Sequence, residues 1–174
     1  MTITAHLTLD DGERHIKLSL DSNALARLAE SLIDHEATAE AFDWLSRHTD
    51  SAVRKAIARK KCLPAAAVRR LVADPAVEVT LDLLRSIRAR RVLTRGEVLS
   101  ACQRDPAVAE TIAGRLEDFS VDGDAVVPTL EHHPDSRVRL ALAGNAFVPA
   151  PVLRRLAQSD SDARVRNDAR LMLE

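Results

Sequence analysis

The sequence predicts a mostly α chain: an α–α superhelix of stacked helix pairs, led by an N-terminal β-hairpin and a capping helix. Three observations carry this. Among 174 residues the only aromatics are Phe42, Trp44, Phe119 and Phe147, so the core is built from Ala, Val, Leu and Ile, which suits closely approaching helices. Period-2 alternation, the mark of a half-buried strand, is confined to the first 20 residues. Beyond it one block returns: residues 48–71 and 133–156 match at 12 of 24 positions without a gap. Internal repetition of this length marks a stacked-repeat architecture.

Residues 2–9 and 14–20 alternate apolar and polar around Asp11-Gly12, a two-residue turn signal because Gly accepts positive φ without a Cβ clash. Pairing about that turn sets Ile3 opposite Leu20, Ala5 opposite Leu18 and Leu7 opposite Ile16. Thr4 with Ser19, His6 with Lys17 and Thr8 with His15 form the wet face. A lone hairpin is marginal in water, so its apolar face is expected to cover something. Asp21 or Ser22 caps a helix with a stripe of Ala24, Leu25, Leu28 and Leu32. Residues 1–35 therefore read as a cap, and 36–174 as one continuous domain of degenerate helical repeats. Residues 36–48, with Ala41, Trp44, Leu45 and His48, read as a partial unit.

The repeated block has a readable grammar. Asp50-Ser51 supplies side-chain acceptors to the free N–H groups of a starting helix, and Val53, Ala56 and Ile57 form its stripe. Leu63-Pro64 closes that helix and opens a second, with Val68, Leu71 and Val72 inward. Asp74-Pro75 turns into the next unit. Weaker copies start at Asp74-Pro75-Ala76-Val77, with Leu81 and Leu84, and at Asp105-Pro106-Ala107-Val108. Leu93-Thr94 and Asp122-Gly123 open second helices, and Ser161-Asp162 opens a last one. The anchors Val53, Val77, Val108, Val138 and Val165 recur at 24 to 31 residues, and one helix pair alone cannot bury both stripes.

Asp-Ser-x-Val-Arg followed by a Pro-led helix with Val/Leu-Arg-Arg-Leu resembles the leucine-rich-repeat-variant and HEAT-like (armadillo-type) families, best over 48–74 and 133–167. The resemblance implies alternating helices in a right-handed superhelix, and a fold that serves many roles. One branch of the variant family carries an iron–sulfur cluster on a cysteine-rich segment. Here the only cysteines are Cys62 and Cys102, so no cofactor carries over, and both read as small buried hydrophobes. The wider group includes DNA-repair glycosylases, but no acid sits in an aromatic setting that would suit such chemistry.

No phosphate-binding glycine loop is present, and the six His are scattered apart from His132-His133, a pair read as structural at a turn. A metal site at His6 and His15 lacks further ligands. Glu117-Asp118 and Asp122/Asp124 read as solvated caps. With no catalytic constellation, the chain is expected not to be an enzyme, to hold no metal or cofactor, and to span no membrane. Without a basic, apolar leader at Met1–His6 it is expected to be cytoplasmic.

The net charge of −1 hides a strong pattern. Residues 1–50 carry 4 basic and 10 acidic side chains, 51–104 carry 13 and 4, and 105–174 carry 8 and 12. The expected function is a non-catalytic scaffold that binds another protein. Its candidate contacts are Arg69, Arg70, Arg85, Arg88, Arg91, Arg95, Arg104, Arg154 and Arg155, since Arg grips carboxylate or phosphate bidentately. Arg69-Arg70 recurs as Arg154-Arg155, so that pair also fits repeat grammar. The alternative is nucleic-acid binding by the basic centre, 51–104, with scarce aromatics weakening any base-stacking version. Acidic ends meeting the basic middle of a neighbouring copy is a further reading.

Overall fold

A computed structural model of the chain describes residues 5–10, 12, 15–119 and 123–174. These are mostly helical, with two strands and twelve α-helices. They group into two compact units, Met1–Ser86 and Ile87–Glu174.

In the first unit β1 (Ala5–Asp10) pairs antiparallel with β2 (His15–Leu20). The register is shifted by two residues from the expected one: Ala5 pairs with Leu20, Leu7 with Leu18, Leu9 with Ile16 and His6 with Ser19. The connection is a four-residue loop, not a two-residue turn. Asp10 ends β1 and accepts the Gly12 N–H at 2.8 Å, while Gly12 takes φ +87°. This Asx turn competes with the tight turn, and it sets Leu9 opposite Ile16 where the tight turn would set it opposite position 14. The expected partners Ile3 and Thr4, together with Asp11 and Asp122, lie outside the described residues. The apolar face is not covered as expected, since Ile16 and Leu18 are 52% and 45% exposed. β2 meets α1 (Ser22–Ser31) with Leu20 only half-buried.

Asp21 caps α1 through the Ala24 N–H at 2.7 Å, and Leu25 and Ala29 are buried. A 3₁₀ turn at Glu36–Thr38 leads into α2 (Ala39–Leu45). Here Phe42, Leu45 and His48 face inward, whereas Ala41 and Trp44 are exposed. The buried positions are one i, i+3 series, displaced from the expected one. α3 (Ser51–Ala58), α4 (Ala65–Val72) and α5 (Val77–Leu83) complete the unit. α3 lies against α1 and α5, and α4 packs on α5. Lys60 closes α1 from outside it, donating to the carbonyls of Glu30 and Leu32 at 2.8 Å each. Its ammonium sits 5.8 Å over the Phe42 ring.

The second unit holds α6 (Ile87–Val92), α7 (Arg95–Arg104), α8 (Pro106–Ala113), α9 (Gly123–Glu131), α10 (Ser136–Ala143), α11 (Ala150–Ser159) and α12 (Ala163–Leu171). α10 lies against α8 and α12, and α11 packs on α12. No sequence signal announces helix α6. It carries a buried arginine, Arg90, whose Nη2 donates to Asp118 Oδ2 at 2.6 Å. Asp118 is thus an ion-pair partner of a buried cation and not merely a solvated cap.

Val53, Val108, Val138 and Val165 are all fully buried anchors. In α5 the anchor is Val79, not Val77. Asp74 accepts the Ala76 N–H at 2.9 Å, so α5 starts at Val77 and its first inward residue comes two later. Asp74 therefore matches His48 rather than Asp50. Among the described residues no helix is long and apolar enough to cross a membrane.

Candidate functional site

The two best-matched blocks build the same joint twice. His48 Nδ1 accepts the Asp50 N–H at 3.1 Å, and Asp50 Oδ1 caps α3 through the Ala52 N–H at 2.8 Å. One turn on, Arg54 reaches back with Nη1 to the carbonyls of His48 and Thr49, at 2.8 and 2.7 Å. Its other edge forks onto Asp74, Nε to Oδ2 at 2.6 Å and Nη2 to Oδ1 at 2.9 Å. In the second unit His133 accepts the Asp135 N–H at 3.1 Å. Arg139 bonds the His133 and Pro134 carbonyls at 2.7 and 3.1 Å and forks onto Asp160 at 2.7 and 3.0 Å. A third copy is half made: Arg166 Nη1 donates to the carbonyls of Asp160 and Ser161 at 2.6 and 3.1 Å.

Each joint lines a shallow cavity, of about 450 Å³ around His48, Arg54, Arg70 and Asp74 and about 400 Å³ around His133, Arg139, Arg155 and Asp160. A cavity flanked by Arg and His invites an anion-site reading, but the joint arginines have few donors to spare, and Arg54 places four of its five N–H groups within the chain. Arg139 has five N–H groups; four are engaged as above and the fifth reaches Ser161 Oγ at 3.2 Å. The joint ties a first helix to the loop that opens the next one, and its charges are satisfied within the chain.

The nine candidate arginines divide between the units. Arg69, Arg70 and Arg85 belong to the first. Arg70 is engaged, bonding Asp43 Oδ1 at 3.2 Å and the Ser46 hydroxyl. Arg85 is exposed and 3.5 Å from Asp82, which also takes Arg59 at 3.0 Å. In the second unit Arg155 forks onto the buried Glu131 at 2.6 and 2.8 Å. Arg70 and Arg155 are therefore equivalent buttresses. Arg69, Arg88, Arg91, Arg95, Arg104 and Arg154 are exposed. Arg95 and Arg104 stand at opposite ends of α7, ~13 Å apart along its axis.

The lone titratable groups suit structural work. Burial pushes the Cys102 thiol up to about 12, which removes it as a nucleophile; Cys62 is only half-buried. His6 bonds Ser19 and His15 bonds Asp10. No group of three metal-ligating side chains occurs among the described residues.

Burial pushes the Asp160 carboxyl up, but the Arg139 fork and the Asp162 N–H outweigh it and hold the group below its ordinary value. The Arg155 fork lowers Glu131 against its burial. A carboxylate depressed in the folded state contributes stability above its unfolded pKa and loses it as pH falls through the folded one. The urea midpoint is therefore expected to hold from about pH 7 to about pH 5 and to fall steeply below about pH 4. Asp160→Ala should flatten that fall; a midpoint that rises on acidification contradicts the assignment.

No family model, no curated protein and no solved structure matches the chain.

Proposed function

We propose that the chain is a HEAT-like α-solenoid that binds another protein as a non-catalytic scaffold. The single observation that carries this reading is the joint built at 48–74 and again at 133–161, with its charged groups engaged inside the chain. Repeated geometry at such a joint serves stacking, which leaves the exposed helix surfaces to make contacts. Arg69 and Arg154, at matching places on α4 and α11, are both exposed, and exposed residues repeated on matching helices suit contacts with a protein partner.

The nucleic-acid reading draws on the basic segment 51–104. Within it Arg54, Arg59, Arg70, Arg85 and Arg90 already face Asp74, Asp82, Asp43 or Asp118, and Lys60 is tied to backbone carbonyls. That neutralisation favours the protein partner.

The test is affinity capture from native lysate with the full chain, with and without nuclease, beside Arg69→Glu/Arg154→Glu. The scaffold reading expects one protein at stoichiometric yield, unaffected by nuclease and lost with the double variant. Recovery abolished by nuclease, or an equal yield with the variant, overturns it.

A further inference from the structure

We infer that two copies of this chain associate head to tail, the acidic surface of α2 in one docking on the basic surface of α6 and the start of α7 in the other. This goes beyond the scaffold reading and does not depend on it.

The two surfaces are complementary in sequence and in exposure. Residues 30–44 hold five acids and no Lys or Arg; residues 85–95 hold five Arg and no acid. On the acidic side Glu40 and Trp44 lie four apart on α2, with Glu36 in the 3₁₀ turn before it. Both carboxylates are exposed, as is the Trp44 indole, with Ile33 beside them in sequence at 76% exposure. On the basic side Arg90 turns inward to Asp118, while Ile87, Arg88, Arg91 and Val92 face outward and Arg95 opens α7. Arg88, Arg91 and Arg95 form no ion pair among the described residues, nor do Glu36 and Glu40.

The basic surface is unfavourable alone. Arg88 and Arg91 are like charges at i, i+3 on α6, a spacing at which repulsion destabilises a helix. Docking an acidic surface on it relieves that repulsion. The exposed apolar groups, Ile33 and Trp44 facing Ile87 and Val92, supply the contact area that charges alone lack. A phosphate backbone would satisfy the arginines but leave Ile87 and Val92 in water, which favours a protein surface. Because the two patches differ, each contact is heterologous.

The experiment is light scattering of the full chain across concentration and salt. At ~0.05 M salt the average mass should climb above that of one chain, and association should weaken at least ~10-fold by ~0.5 M. Arg88→Glu/Arg91→Glu alone, and Glu36→Lys/Glu40→Lys alone, should each stay at one chain. Mixed in equal amounts, they present opposite charges across the contact between one variant's reversed α6 and the other's reversed α2, and should associate again. All four substituted side chains are exposed, and circular dichroism of each variant verifies the fold. A wild-type chain that stays at one mass throughout overturns the inference, as does association that survives salt and both reversals. A mixture of the two variants that fails to associate overturns it equally.

Discussion

Arg139→Ala lowers the free energy of unfolding by about 3–5 kcal/mol. The fork between Arg139 and Asp160 is buried, with the two side chains 11% and 3% exposed. Truncating one partner leaves the other as an uncompensated charge, and it orphans the carbonyls of His133 and Pro134 that Nη1 had served. Asp160→Ala should cost a similar amount, since it strands the guanidinium and removes the acceptor of the Asp162 N–H. The double variant Arg139→Met/Asp160→Leu should recover part of the loss, because two apolar groups need no pairing. Full recovery is not expected, as the two carbonyls remain unserved. Arg164→Ala, at an exposed pair with Asp162, should leave the midpoint where it was. Urea unfolding followed by circular dichroism measures all four. A loss from Arg139→Ala no larger than that from Arg164→Ala would show that the fork contributes nothing beyond a surface pair.

Much of this joint is legible in the sequence. His48/His133, Asp50/Asp135 and Arg54/Arg139 all appear there, the first two as identities that open the repeat and the third within its first helix. The acceptors are not legible, because α4 spans eight residues and α11 ten. Asp74 and Asp160 thus fall out of the gap-free alignment by one position, and a carboxylate after a helix reads first as a turn signal. A similar slip puts the α5 anchor at Val79 instead of Val77. Paired arginines are equally hard to foresee. Buried Arg90, half-buried Arg70 and exposed Arg155 look alike in the sequence, and only the fold brings Asp118, Asp43 and Glu131 to them. The hairpin's alternation predicts two strands correctly. Its register depends on Asp10 choosing an Asx turn, and a shift of two preserves the alternation that the sequence displays. The reading of exposed arginines as contacts rests on surface position alone, which is why charge reversal, rather than truncation, discriminates there.

Leu142→Ala should destabilise by about 2–5 kcal/mol, and Ala143→Leu, its neighbour, by about 1–3 kcal/mol. The two substitutions change volume in opposite directions, yet both are expected to lose stability. Leu142 and Ala143 are both fully buried on α10, which lies against α8, α9 and α12. Ala109 and Ala113 on α8 and Ala169 on α12 are also fully buried. Small residues at these places let helices approach closely, so a leucine at 143 has no room and must force its neighbours apart. Removing Leu142 instead opens a void that rigid helices cannot close. Helix propensity does not interfere, since Ala and Leu are both strong helix formers. Leu140→Ala, at a half-buried site on the same helix, should cost less than Leu142→Ala because water already reaches it. Thermal and urea unfolding of the three variants gives the ordering. A close-packed interior penalises both a deletion and an insertion, whereas a loosely filled aliphatic interior would accept Ala143→Leu with a gain from added burial. A stabilising Ala143→Leu would therefore mean that the alanines mark slack packing, and the link between the sparse aromatics and closely approaching helices would fail with it.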